Sequence, residues 1–313
     1  MGGIAFAFAL SSGDAGACDS SSCSLVTRGQ GGVLAKKAFR IDFSYRYTDD
    51  AVFLDGSSAA EHVYRPKVAL EQGRIWPEFH RELGGHDSFL QLDFAYGLAS
   101  RTTLLASVPV LADRSYAIAH AGIQQDYGTT GFGDALVGVR HLIAGDLVGG
   151  FSVKLPSARH RIAGDFDGSI LDPTLQPGSG SWDFVATLQY AGTIAPWLVD
   201  WSVAGSYQLN TANDLGYRFG DLTVAAASAS RTLKGPLAAT LQIKFVHEAR
   251  HTFLDEGVPS TGSSILYVTP GLRVRLPDQT SLYGIVQLPP YRYVNETQLA
   301  VRAAFLVGVS KTF

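Results

Sequence analysis

Charge is scarce in this chain. Lys, Arg, Asp and Glu make up 17% of its 313 residues, against about 25% in an ordinary soluble domain. What charge there is nearly cancels: 25 basic and 28 acidic residues leave a formal −3. No basic excess exists to hold a nucleic-acid backbone. Cysteine is rarer still, with only Cys18 and Cys23, which excludes a small fold stapled by many disulfides. Long apolar runs are also missing. The longest, Ile4–Leu10 and Val224–Ala229, fall far short of the ~20 residues that a membrane-spanning helix needs. Yet 46% of the residues are hydrophobic, with 17 Phe, 13 Tyr and 4 Trp, and the mean hydropathy is +0.10. Such a chain is too apolar to remain disordered. Its length suits one large all-β domain or two ordinary ones.

The first residues indicate export. Ile4-Ala-Phe-Ala-Phe-Ala-Leu10 is a short apolar core followed by Ala15-Gly-Ala17, and this order reads as a secretory signal cut after Ala17. The organisation expected is therefore a signal peptide over 1–17, a periplasmic or plug segment over 18–37, and one domain over 38–313. No charged residue precedes the apolar core, which fits a start lying inside the true signal. Lipidation at Cys18 calls for Leu three residues earlier, where Ala15 stands. Cys18 and Cys23 can instead close a small disulfide loop in an oxidising compartment. No His follows them and no second Cys pair exists, so neither a metal nor a haem is expected there. The Gly-rich stretch 25–37 either skirts the periplasmic mouth of the domain or enters it.

From residue 38 the apolar residues recur with period two, the mark of half-buried strands. Phe39, Ile41, Phe43, Tyr45 and Tyr47 alternate with Arg40, Asp42, Ser44 and Arg46. Leu90, Leu92, Phe94 and Tyr96 lie opposite Gln91 and Asp93, and the last such segment runs from Leu299 to Phe313. Twelve segments of this kind can be read, among them one with Leu222, Val224 and Ala226 on its apolar face. Connections expected to be long (48–86, 111–130, 157–180, 210–219, 249–263, 289–297) alternate with short ones such as Gly97–Ser100 and Pro277–Gln279. An even number of tilted strands with short turns on one side and long loops on the other defines a transmembrane barrel. A soluble sandwich or lipocalin-like barrel also alternates, but gives no reason for loop lengths to sort by side.

The fold expected is thus an all-β, up-and-down antiparallel barrel of about 12 strands in a bacterial outer membrane, with both termini periplasmic. Closure follows from physics, because an open sheet edge in hydrocarbon leaves backbone groups unpaired at several kcal/mol each. The chain ends in Phe313 on an alternating strand. That ending resembles the terminal strand by which outer-membrane barrels engage the barrel-assembly machinery, although Lys311 stands where an apolar residue is more usual. Tyr96, Tyr190, Trp197 and Trp201 gather near strand ends, as an interfacial girdle requires.

Three stretches carry a family likeness: Tyr96–Arg101 leading into Leu104–Pro109, Gly131-Phe-Gly-Asp-Ala-Leu-Val-Gly-Val-Arg140, and Leu175-Gln-Pro-Gly-Ser-Gly-Ser-Trp-Asp183. Together they resemble the "MetA-pathway of phenol degradation", transporter-like family of outer-membrane barrels. The resemblance spans about 38–313. It implies a transport role near hydrophobic or aromatic catabolism.

The inward phase collects Arg40, Asp42, Arg46, Asp93, Asp134, Arg140, Lys154, Asp183, Lys244, Arg273, Arg275 and Arg302 as lumen-lining candidates. Mixed charge of this kind either hydrates a narrow pore or pairs with itself to close the interior. Twelve strands fall between the filled small barrels of ~8 and the open channels of ~16. Arg273 and Arg275, beside the strand of Lys244, would form a cationic ladder favouring anionic solutes. His86-Asp-Ser88 resembles the His-x-Ser pair of outer-membrane phospholipase A, but no flanking sequence matches that enzyme, no orienting Asn is evident, and loop polarity explains these residues adequately. Asp165, Asp167 and Asp172 share an oxygen-rich loop of the kind that can hold Ca²⁺, but the later Glu of an EF-hand is missing, which favours solvated loop charge. The function expected is passive passage of small solutes, hydrophobic or aromatic ones included, without enzymatic activity or cofactor. The alternative is a non-conducting structural or adhesion barrel whose long loops bind lipopolysaccharide or protein.

Overall fold

A computed structural model describes residues 32–120, 123–164 and 168–313. The expected signal peptide, Cys18, Cys23, Asp165 and Asp167 lie outside these residues.

Twelve long strands form the wall. They are β1 (Phe39–Asp55), β2 (Arg74–Ala99), β3 (Thr102–His120), β4 (Leu136–Ala144), β5 (Leu147–Lys154) and β6 (Asp183–Ile194). The other half comprises β7 (Val199–Leu209), β8 (Leu222–Lys234), β9 (Leu237–Glu248), β10 (Ser263–Leu276), β11 (Thr280–Val294) and β12 (Thr297–Thr312). Each pairs antiparallel with its sequence neighbours, and β1 pairs with both β2 and β12, so the sheet closes without an edge. The last residue completes the seam: Phe313 and Phe39 exchange backbone hydrogen bonds of 2.8 and 3.1 Å. Their rings also stack, with centroids 6.4 Å apart. The twelve strands read from alternation are the twelve observed.

Alternation now has a direction. Phe43 and Tyr45 on β1, Phe151 on β5, Leu188 on β6, Leu241 and Ile243 on β9, and Phe305 and Val307 on β12 are exposed. Their neighbours Ser44, Arg46, Ser152, Gln189, Gln242 and Lys244 are buried. A belt of large apolar side chains turned outward is unfavourable in water but matches hydrocarbon. Aromatic residues edge the belt at both ends: Tyr96, Tyr190 and Trp197 near the short turns, and Trp182, Tyr207 and Tyr293 near the long loops.

Strand β8 reverses the expected phase. Leu222, Val224 and Ala226 are buried and face inward, while Thr223 and Ala225 are exposed. Register decides this, since Val224 lies opposite buried Val246 and Ala225 opposite exposed Phe245 on β9. With small side chains on both faces, alternation fixes the period of this strand but not its phase.

The connections differ more. β1 continues to Asp55 and β2 begins at Arg74, so much of 48–86 is strand rather than loop. Val63–Ala69 forms a hairpin with the start of β2, and Ile123–Gly131 forms one with the end of β3. The connection expected over 289–297 is a tight turn at Asn295–Glu296. Beyond the bilayer no lipid imposes an apolar face, so these extensions carry no regular alternation. At the opposite end, the short-turn mouth, the Leu34 N–H donates to Oγ1 of the buried, inward-facing Thr103 at 2.7 Å. The last residues before β1 therefore lie against the inner wall.

Candidate functional site

Lys154 ends β5 and Asp183 opens β6, directly across the strand pair. They form a buried ion pair, and Lys154 Nζ is also 4.0 Å from Asp134 Oδ2. Asp134 in turn accepts hydrogen bonds from the Ser179 N–H at 2.7 Å, the Ser179 hydroxyl at 2.9 Å and the Ala158 N–H at 3.0 Å. Asp183 accepts from the Ser181 hydroxyl at 3.0 Å and the Thr211 N–H at 3.1 Å. This cluster pins the connection between β5 and β6 onto the inner rim of the barrel.

Other expected lumen residues lie elsewhere along the strands. Asp42 accepts from the Tyr283 hydroxyl at 2.6 Å. Asp93 accepts from Ser107 at 2.8 Å and Gln91 at 2.9 Å. The Arg46 guanidinium lies 4.5 Å from the Phe89 ring centroid, and Lys244 Nζ lies 4.7 Å from that of Tyr267. Arg140 is buried, Arg40 and Arg273 are half-buried, and Arg275 is exposed at the short-turn end.

Two expectations are corrected. Lys244 is opposite Tyr267, whereas Arg273 is opposite Ala238, six positions along β9. At ~3.4 Å per residue that is roughly 20 Å, so no compact cationic ladder forms. Arg302 is 63% exposed and bonds outward to Asp49. The cause is a β-bulge: Asp49 pairs with Ala303 and Asp50 with Val301, so Arg302 is skipped and the phase of β12 flips.

One part of the inner wall is apolar. Leu222, Val224, Ala226, Val246, Ile265, Tyr267 and Val301 form a single buried cluster on the inner faces of β8, β9, β10 and β12. The interior is therefore two-sided, with this surface on one arc and the Lys154–Asp183 cluster on another.

The long-loop mouth is covered. Val68, near the tip of the 63–82 hairpin, packs in a buried cluster with Tyr217, Phe253 and Val258, and Leu70, Ile75 and Phe219 pack around it. Tyr217 belongs to the connection after β7, and Phe253 and Val258 to the one after β9. The hairpin leaves the wall at β1 and β2, about half a circuit away, so it crosses the opening. At its root Arg65 Nη1 donates to Glu82 Oε1 at 3.0 Å, and its Nη2 donates to the Thr174 hydroxyl and lies 3.9 Å from Asp172 Oδ1. Its guanidinium also lies 5.4 Å from the Tyr116 ring centroid. Burial opposes the Arg65 charge, but Asp172 and Glu82 more than offset it and hold the pKa above the usual value. Burial pushes the Glu82 carboxyl up, and Arg65 works against that rise.

Around Arg65 are two spaces. One, of about 60 Å³ and partly open to solvent, is bounded by the hairpin, by Tyr116 and Ile118 of β3, by Tyr127, and by Leu171 and Leu175. The other, of about 80 Å³, is lined by Glu82, Ser260 and Gln298 among others. Arg65 and Tyr116 border both. No sequence signal marked this region, because its walls come from segments as far apart as Tyr64 and Leu299.

Residues weighed for chemistry are dispersed. The Ser88 hydroxyl bonds the Tyr45 hydroxyl at 3.2 Å, while His86 stacks on Tyr47 at 5.6 Å and lies 4.0 Å from Asp113. Asp172 caps a short helical turn through the Thr174 N–H at 2.9 Å. Among the described residues no group of three or more His, Cys, Asp or Glu is arranged to hold a metal.

A closed twelve-strand barrel with an apolar exterior, an amphipathic interior and loops folded over one mouth is a β-barrel of the bacterial outer membrane. No family model and no curated protein matches the chain. Solved structures do. An outer-membrane channel from Pseudomonas putida F1 superposes with a TM-score of 0.57 at 11% identity, over 90% of this chain and 97% of that one. The toluene transporter TodX of P. putida gives 0.41 at 12% identity, over 90% and 91%. A Pseudomonas aeruginosa FadL homologue gives 0.40 at 9%, over 88% and 90%. The likeness is one of fold and rests on the first of these.

Proposed function

We propose that the protein is a channel for passive uptake of small solutes, hydrophobic or aromatic compounds among them. The observation that carries this reading is the two-sided interior. The seven-residue apolar cluster from Leu222 to Val301 gives the inner wall an apolar arc that accommodates a desolvated solute once its closely packed side chains part. The charged side chains of Lys154, Asp183 and Asp134 order another arc of the rim by fastening the β5–β6 connection to it. The channel in the P. putida structure has the same fold, which agrees with the reading. Membership of the MetA-pathway family, export through a signal cut after Ala17, a Cys18–Cys23 disulfide, assembly through the strand ending at Phe313, and contact of the long loops with lipopolysaccharide belong to the same proposal. So does a solute path past Arg40, Asp42, Arg46, Asp93, Arg140, Lys244 and Arg273.

The covered mouth favours one rival, a non-conducting barrel that acts through its loops. Reconstitution in liposomes separates the two. Uptake of a small aromatic solute above that of protein-free vesicles supports the channel. Vesicles that take up neither this solute nor a small sugar would sink it.

A further inference from the structure

We propose that the outer rim of the barrel at its short-turn end is an interaction surface for anionic phospholipid headgroups, centred on Arg231. Short turns mark the periplasmic side, so the leaflet that meets this rim is the inner one. Arg231 is exposed on the outward phase of β8, after exposed Ala225, Ala227 and Ala229. In register it lies opposite Val199 on β7 and Ala239 on β9, two residues beyond the Trp201–Ala229 pair. That depth is the aromatic girdle: Trp201 packs on Tyr190 with ring centroids 5.7 Å apart, and Trp197 is exposed. A cation on the lipid face is costly at the bilayer midplane and nearly free at headgroup depth.

The charge there is uncancelled. Among the described residues the side chains of Arg231 and exposed Lys234 have no hydrogen-bond or ion-pair partner. The acid closest in register, Asp200, lies opposite Ser230 on the inward phase and accepts the Thr193 hydroxyl at 2.7 Å. Lys311 repeats the arrangement on β12, where exposed Phe305, Val307 and Val309 set the outward phase. Its Nζ lies 5.1 Å from the Phe313 ring centroid. From β8 through the seam to β3, the rim carries Arg231, Lys234, Arg275, Lys311 and Arg101 against Asp278 and the terminal carboxylate. Arg101 donates to the carbonyls of Leu142 at 3.0 Å and Ile143 at 2.6 Å, which leave its charge in place.

Placement favours lipid over an acidic periplasmic protein, since Arg231 and Lys311 stand on the lipid-facing phase with aromatic side chains beside them. A guanidinium accepts a phosphate in bidentate fashion. Each cation near an anionic lipid surface adds about fivefold in affinity, an attraction that a headgroup with its own ammonium largely cancels. This surface is separate from the solute path and holds whether or not the barrel conducts.

The test uses the full chain with Trp76→Phe and Trp182→Phe, which leaves Trp197 and Trp201 as fluorescent reporters. It is reconstituted in phosphatidylcholine vesicles that contain brominated phosphatidylglycerol or brominated phosphatidylcholine as quencher. The brominated phosphatidylglycerol should show an apparent affinity about threefold or more above that of the phosphatidylcholine. In ~1 M salt, where the Debye length is about 3 Å, the preference should shrink. Arg231→Gln/Lys234→Gln should bring the ratio close to one, and Arg231→Lys should keep most of it. Circular dichroism establishes that each variant keeps its sheet content, and Arg231→Gln alone is read in the same way should the double variant not fold. Equal quenching by the two lipids overturns the proposal, as does a preference unchanged in a folded variant. Equal quenching together with binding of soluble polyglutamate that Arg231→Gln abolishes also overturns it, and assigns the rim to an acidic protein.

Discussion

At the scale of single residues, buried charge organises the rim and exposed charge fastens the loops. The Lys154–Asp183 pair has almost no contact with water, with side-chain exposures of 9% and 0%. Removing one partner from such a pair leaves an uncompensated buried charge, at a cost of about 3–5 kcal/mol, whereas replacing both with apolar residues is often neutral. Lys154→Met, which leaves Asp183 and Asp134 buried without their cation, should therefore lower the urea midpoint of unfolding well below that of Lys154→Met/Asp183→Leu, although the double variant loses more charge. Equal loss in the two would mean that the pair contributes only packing. Glu296 poses the exposed case. Its carboxylate accepts both Arg250 Nη atoms, at 2.6 and 3.0 Å, and the Ser260 N–H at 2.8 Å. The Arg250 bonds hold its pKa below the usual carboxylate range, with partial burial acting in the other direction. A depressed carboxylate stabilises the fold above its unfolded value, about 4.3, and that contribution fades as pH falls through the lower folded value. NMR titration of Arg250→Ala should show Glu296 moving up toward 4.3, with acid loosening of the 249–262 loop beginning at higher pH. An unmoved Glu296 would assign its shift to Ser260 instead.

Elements explain why some of this molecule was legible in its sequence and some was not. The bilayer imposes an apolar outer face, so every membrane-crossing strand from Phe39–Tyr47 to Leu299–Phe313 announced itself by period two. Where that constraint weakens, the sequence reading fails in a definable way. β8 has small apolar residues on both faces, so its phase was set by pairing with β9 rather than by pattern. The bulge at Arg302 shifts one strand by one residue, which a count of alternate positions cannot detect. The mouth is harder still, since Arg65, Tyr116, Tyr127 and Leu171 meet only because a hairpin bends over the opening. Gly84 and Gly85 lie where it bends. Gly84 has φ +151° and the β2–β3 register slips beside it. A Cβ on Gly85 would stand 2.4 Å from the Tyr116 ring, which itself reaches across to Asp50 with a 3.3 Å hydrogen bond. Gly85→Ala should displace that ring and destabilise the extension by about 1–3 kcal/mol, as overpacking does. The readout is limited proteolysis within residues 63–82, which should quicken while the wall strands stay protected. An unchanged cleavage rate would mean that the ring turns aside at no cost.

For the whole molecule, the question is whether the covered mouth governs passage. The barrel closes by backbone pairing around twelve strands, and its wall needs no help from the hairpin to stay shut. What the hairpin adds is contact across the opening, concentrated where Val68, at 2% exposure, meets Tyr217, Phe253 and Val258, at 1–2%. A carboxylate at that point would be buried among apolar side chains without a partner, at a cost of several kcal/mol. The cheapest relief is for the hairpin tip to lift into water, because no membrane strand has to move. Val68→Asp should therefore leave heat stability of the barrel nearly intact while changing what crosses it. In planar bilayers its single-channel conductance should exceed that of the wild type, and uptake of small polar solutes into vesicles should rise with it. The increase should vanish at low pH, where the new carboxyl is protonated and can return to the cluster. A conductance equal to wild type at neutral pH, in a variant whose hairpin has become protease-sensitive, would show that the constriction lies deeper in the barrel. The Lys154–Asp183 rim, with Arg46 and Lys244 below it, would then be the place to seek it.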